Sequence, residues 1–183
     1  MNMKILAVQN RMGIGDTVIF LPFIEAISRK FNAPVSLLVK KSSKVDEYIK
    51  QTDYLDKVIF LERNNKKDEK HNGFIGSIRL AQELKKNKFD KIFIFNSSLR
   101  FNLIARLANI KEIYQYPLFK KTNQHIILPA KHLIKKNLGI DVVRDPQIGT
   151  DSNLIKEVQL RFNINSREIN ILLGIGGSGP TKR

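Results

Sequence analysis

Apolar positions along the chain fall into two alternating rhythms. Short, nearly continuous apolar runs occur at KILAVQ (Lys4–Gln9), VSLLVK (Val35–Lys40), KVIFLE (Lys57–Glu62) and KIFIFN (Lys91–Asn96). EIYQYP (Glu112–Pro117) is a further run, stopped by its proline. Runs of this length read as strands buried on both faces. Between them, apolar residues recur at three and four positions, which is helical spacing. The groups are Phe20, Phe23, Ile24, Ile27 and Phe31; then Phe74, Ile78, Ala81 and Leu84; then Leu99, Leu103, Ile104 and Leu107. The first group predicts a helix from Asp16 to Phe31, kinked or loosened in its early turns by Pro22. KVDEYIKQ predicts a short helix, and NNKKDEKHN a polar loop. Strands separated by helices imply βαβ units. The expected fold class is therefore α/β, a Rossmann-like parallel sheet with right-handed crossovers placing helices on both faces.

After Pro117 the rhythm weakens. One helix is expected around Ala130–Leu138, and a turn-rich segment starts at Asp145-Pro146. Leu154, Ile155, Val158 and Phe162 predict another helix, capped by Asp151 or Ser152. A last buried strand is expected over Ile169–Leu173, followed by the glycine-rich GIGGSGPTKR. A strand running into a glycine-rich loop is how a Rossmann-type domain opens. The expected organisation is a Rossmann-like domain over 1–145, a linker and helix over 146–168, and the first elements of a second, truncated domain over 169–183.

Charge narrows the class of partner. Across 183 residues, 32 basic side chains face 17 acidic ones, a formal net charge of +15. Such a cation suits nucleic acid, acidic lipid headgroups or phosphorylated substrates. A compositional bias toward lysine, asparagine and isoleucine would give the same excess as a merely solvated surface. The chain has no cysteine, which excludes disulfides, thiolate metal sites and a Cys nucleophile. Its 3 histidines are scattered, and His125 and His132 lack partners at metal-ligand spacing, so no metal site is expected. The apolar run at Ile5–Val8 is too short for a signal peptide, and no run approaches the roughly 18 residues of a membrane span. These features point to a cytoplasmic protein.

Candidate chemistry sits at two glycine-rich joints. In NRMGIGDTVIFLP (Asn10–Pro22) the third glycine of a dinucleotide fingerprint is replaced by Val18, and the Gly-Lys-Ser/Thr ending of a phosphate-binding loop is missing. Asp16 would also repel a phosphate from the helix start. Its carboxylate can cap the helix. At the carboxyl end of the first strand, where open α/β sheets bind ligands, it can equally act as a general base. The two roles are compatible, and Gly13 and Gly15 let a substrate approach the backbone. The second joint reverses the charge. Gly177, Ser178, Thr181 and Lys182 offer amides, hydroxyls and a cation without an interrupting acid, which suits a diphosphate. As a terminal glycine-rich stretch, it also reads as a flexible tail.

Taken in this order, ILAVQNRMGIGDTVIFLPFIEAI and INILLGIGGSGPTKR resemble the ADP-heptose–lipopolysaccharide heptosyltransferases, glycosyltransferase family nine. That family has a small-x-Gly-Asp loop with a proline six residues beyond the Asp, matched by Asp16 and Pro22. Its Gly-(Ala/Gly)-Ser-x-x-x-Lys loop is matched by Gly177, Ser178 and Lys182. The resemblance implies a GT-B fold of which this chain is the amino-terminal, acceptor-side half plus the start of the donor domain. As such a fragment it would lack full activity alone. It further implies an inverting, metal-independent transfer of a sugar, typically heptose, from a nucleotide-sugar donor such as ADP-heptose to an anionic glycolipid acceptor at the inner membrane face. Asp16 would be the general base, Gly13 and Gly15 the floor of the acceptor site, and Ser178, Thr181 and Lys182 the diphosphate grip. Lysine pairs such as Lys66-Lys67, Lys120-Lys121 and Lys135-Lys136 would hold the protein at the membrane. The competing reading is a basic Rossmann-like module for nucleic acid or another polyanion. It lacks the expected basic stripe interleaved with aromatic residues.

Overall fold

The structure, a computed structural model, describes residues 3–11, 13–48, 52–63, 69–118, 125–165, 167–171 and 173. The chain divides into two compact units, Met1–Gly149 and Thr150–Arg183.

The first unit is built on five parallel strands: β1 (Ile5–Gln9), β2 (Val35–Lys40), β3 (Leu55–Leu61), β4 (Lys91–Ile94) and β5 (Glu112–Gln115). They lie in the order β3-β2-β1-β4-β5, so β1 is central. Along β1, Ile5 and Ala7 enter one core while Leu6 and Val8 enter the other. Burial on both faces is why the parallel strands read as unbroken apolar runs. The Rossmann-like α/β expectation holds.

One core packs β1, β2 and β4 against α2 (Leu21–Phe31) and α6 (Ile127–Leu138), through Phe23, Ile24, Ile27, Ala130 and Ile134. The opposite core packs the sheet against α4 (Gly73–Asn87) and α5 (Leu99–Leu107). Short helices α1 (Ile14–Val18) and α3 (Val45–Tyr48) lie after β1 and β2.

Three expectations for this unit change. The helix expected over Asp16–Phe31 is two helices, α1 and α2, parted at Ile19–Phe20. Pro22 sits in the first turn of α2, where an absent N–H costs nothing because that turn has no acceptor for it. Second, α5 buries Phe101, Ile104 and Ala105, while Leu99, Leu103 and Leu107 face outward. The alanines explain the choice: with Ala105 and Ala108 inward, the helix seats close to the sheet, which a leucine row would prevent. Third, α4 buries Gly76, Leu80, Ala81 and Leu84, and leaves Phe74 exposed.

In the second unit, α7 (Ser152–Arg161) is capped by Asp151, whose carboxylate accepts from the Asn153 N–H at 2.7 Å. Ile169, Ile171 and Leu173 are exposed and belong to no strand. A parallel strand needs a neighbour for its ladder, and the described residues of this unit offer none. Gly174–Arg183, with Gly177, Ser178, Thr181 and Lys182, lies outside the described residues.

Candidate active site

The carboxyl end of β1 is shaped by a buried amide. Gln9, 1% exposed, donates through Nε2 to the Asp16 carbonyl at 2.8 Å and accepts the Arg11 N–H at Oε1, 2.7 Å away. This side chain ties the end of the strand to the helix that follows. Gly13 is the N-cap of α1 in extended geometry, so Asp16 is one turn inside the helix rather than its cap. Its Oδ2 nevertheless reaches back to accept the Gly13 N–H at 3.2 Å, complementing the helix dipole. A Cβ at Gly13 would stand 3.1 Å from that oxygen, so the glycine makes room for the carboxylate to fold back. A Cβ at Gly15 would meet nothing within 4 Å, so this glycine leaves open space beside the carboxylate.

The other oxygen is freer. Asp16 Oδ1 lies 3.9 Å from Arg11 Nη1, in a pair whose side chains are 35% and 51% exposed. An ion pair this long and wet contributes well under about 1 kcal/mol. One carboxylate oxygen is thus fixed by the backbone, while the second makes this long contact with Arg11 in a part-exposed side chain. Gly13, Gly15 and Asp16 lie together in this loop and the first turn of α1.

Amide side chains join the neighbouring strand ends to this loop. Asn96, just past β4, donates to Asn10 Oδ1 at 3.2 Å and accepts the Ser98 N–H at 2.9 Å. Gln115 of β5 donates to the carbonyls of Asn96 and Ser98 and accepts from Asn102. Farther along the same edge lies a cluster that sequence reasoning missed. His71 is buried, and its Nδ1 accepts the Glu62 N–H at 3.0 Å. Nε2 therefore carries the hydrogen and donates to Glu83, 3.2 Å away. Lys70 bonds the same carboxylate. Burial alone would raise the Glu83 carboxyl, but the Lys70 bond and the His71 ring outweigh it and hold the group below its ordinary value. Arg100 donates to the His71 carbonyl, and burial together with the charge of Arg63 pulls its guanidinium below the usual range. Arg100 is thus a tethered side chain at the start of α5. No sequence signal announces this cluster, because its members are joined only by the crossover from β3 to α5.

A cavity of about 710 Å³ lies between the edge strand β5 and α6, lined by Tyr114, Tyr116, His132, Lys136 and Asn137 among others. None of Gly13, Gly15 or Asp16 lines it. Among the described residues, no three His, Cys, Asp or Glu side chains form a group that would hold a metal ion. No helix among them is long and apolar enough to cross a membrane.

No protein-family model matches the sequence, and no curated protein does. Solved structures do match. The glycosyl transferase family 9 protein of Veillonella parvula DSM 2008 superposes with a TM-score of 0.71 at 16% identity, over 100% of this chain and 56% of that one. The chain shares the fold of that glycosyltransferase. E. coli ADP-heptose LPS heptosyltransferase II gives 0.60 at 14% identity, over 90% of this chain and 52% of its own. E. coli heptosyltransferase WaaC, solved with ADP-2-deoxy-2-fluoro heptose, gives 0.57 at 13% identity, over 79% and 51%. The chain therefore spans about half the length of the structures it matches. The family resemblance read from the two joints and the fold likeness agree.

Proposed function

We propose that the chain is the acceptor-side half of an inverting glycosyltransferase of heptosyltransferase type. The observation that carries this reading is the half-fixed carboxylate of Asp16 at the carboxyl end of the central strand, in a fold shared with heptosyltransferases. The acceptor hydroxyl gives its proton to Oδ1 of Asp16 as its oxygen attacks the anomeric carbon. The bond from that carbon to the diphosphate breaks, and the nucleoside diphosphate leaves with the electron pair. Attack opposite the leaving group inverts the centre. The Oδ2 bond to Gly13 keeps the base aimed without using the oxygen that takes the proton. The open space at Gly15 admits the acceptor. The proposed donor is a nucleotide-sugar such as ADP-heptose, gripped without a metal by Gly177, Ser178, Thr181 and Lys182. The proposed acceptor is an anionic glycolipid on the inner face of the cytoplasmic membrane, where the chain would act from the cytoplasm.

The test is transfer from ADP-heptose to a delipidated, phosphorylated core acceptor by a polypeptide that joins this half to a donor half, compared between wild type and Asp16→Asn. Asparagine keeps the bond to Gly13 but accepts no proton, so the rate should fall on the order of 10²–10⁴-fold with the fold intact. An unchanged rate would falsify the role of Asp16. Separately, the acceptor should raise the melting temperature of this chain while duplex DNA does not. The reverse outcome would favour the polyanion-binding module.

A further inference from the structure

We infer that the outer side of α4 and α5 is a face that docks on an anionic lipid bilayer. Among the described residues of the first unit, most of the exposed large apolar side chains lie there. Phe74 is 80% exposed and Ile75 65%, both in the first turn of α4, and Leu99, Leu103 and Leu107 form an exposed row along α5. The two helices pack side by side over one face of the sheet, and the Arg100 bond to the His71 carbonyl brings their starts together. On α4, Asn87 accepts the Lys57 ammonium of β3 at 2.6 Å, which fixes the side of the helix that looks away from α5. Phe74 stands more than a third of a turn round the helix from Asn87 and so faces α5, toward its leucine row. The apolar side chains of the two helices thus make one patch rather than scattered points.

Charge decides what covers the patch. α4 carries Arg79, Lys85 and Lys86 against one acid, Glu83, and α5 carries Arg100 and Arg106 with none. Glu83 is itself occupied by Lys70 and His71. A second copy would press these cations against their equals, on a chain already at +15. A nucleic acid would satisfy the cations but leave the phenylalanine and leucines wet. Aromatic and aliphatic side chains set among arginines and lysines match the boundary between acyl chains and anionic headgroups. Of the lysine pairs first expected to meet the membrane, Lys66-Lys67 and Lys120-Lys121 lie outside the described residues, and Lys135 is paired with Asp141 at 2.8 Å.

The purpose of this face rests on the lipid-linked acceptor proposed above, whereas its test does not, because the probe contains no glycolipid. The 183-residue chain is floated with phosphatidylcholine vesicles, with and without about one-third phosphatidylglycerol. Binding should require the anionic lipid and fade with salt. The double variant Phe74→Ser/Ile75→Ser should lose at least about tenfold in partition, and Lys85→Gln/Arg106→Gln about as much, with unchanged melting curves since all four side chains are exposed. The chain has no tryptophan, so Phe74→Trp supplies a single reporter. Its emission should shift to the blue on anionic vesicles and be quenched by brominated acyl chains. Binding equal to wild type in the serine variant, no blue shift, or a blue shift that grows with protein concentration in the absence of lipid would each overturn the docking face. An acceptor that raises the melting temperature of a chain that ignores these vesicles would overturn the face alone and leave the proposed transferase standing.

Discussion

Replacing Gly76 by alanine should destabilise the first unit, against the ordinary rule for helices. Inside an exposed helix the change gains about 1 kcal/mol, because glycine loses more backbone freedom on folding. At Gly76 an added Cβ would lie 2.2 Å from the His71 carbonyl carbon and 2.7 Å from its Cα and oxygen. Carbon atoms rest at roughly 3.5–4.0 Å, so α4 and the His71 turn must part by more than ~1 Å. The turn has little freedom to give. The His71 N–H bonds the Glu62 carbonyl, its ring is bonded on both nitrogens, and its carbonyl holds Arg100. Losing two of these bonds at about 1 kcal/mol each, together with the packing of Leu80 and Leu84, should outweigh the helix gain and leave a net loss of about 3 kcal/mol. In a unit of this size that lowers the melting temperature by about 6–12 °C. Urea and thermal melts of Gly76→Ala measure it, with Gly15→Ala as the comparison. Gly15 is also helical, but a Cβ there meets nothing within 4 Å, so its melting point should hold or rise slightly. If Gly76→Ala melts with the wild type, α4 does not rest on the His71 backbone, and the cluster around Glu83 is not assembled as described.

Further outcomes separate the core from the surface and fix the sign of pH effects. Leu80→Ala, at a fully buried position, should cost about 2–5 kcal/mol in urea unfolding, and Phe74→Ala, at an exposed one, under about 0.5. Because the Glu83 carboxyl is held below the ordinary 4.5, the stability it contributes is present above pH 4.5 and is lost as pH falls through its folded value. The gap in melting temperature between wild type and Glu83→Gln should therefore be constant near neutrality and close in acid; a gap that widens there would contradict the assignment. Burial pushes the Tyr54 and Tyr114 hydroxyls up to about 12, and raises Tyr48 and Tyr116 as well. The protonated form is the folded one, so stability should be full below pH 10 and fall above it, and phenolate absorbance at 295 nm should appear with unfolding. Smooth ionisation near pH 10 in a chain that stays folded would refute this.

The sheet was legible because its strands are buried on both faces, which writes a continuous apolar run into the sequence at β1, β2 and β4. Helix faces were less legible wherever both sides of a helix are apolar. On α5, Leu99, Leu103 and Leu107 and the group Phe101, Ile104, Ala105 and Ala108 each satisfy helical spacing. Only the close approach permitted by the alanines selects the second group. The loop of Asp16 could be found from its glycines and its acid, yet the buried Gln9 that ties it to β1 reads as a mere strand end. His71, Glu83 and Arg100 come from separate segments and share no spacing at all. Two of the failures of local pattern, the misread faces of α4 and α5, fall together. A core-seeking reading counts every leucine and phenylalanine as inward, so a helix that keeps such residues in water is misread. The cost of leaving them exposed is real, about 25 cal/mol for each Å² of apolar surface. Two adjacent helices carrying it among five cations and one engaged carboxylate mark a surface that folding alone does not need. On this chain, then, the misread leucines of α5 and Phe74 of α4 belong to the outward face that the vesicle experiment probes.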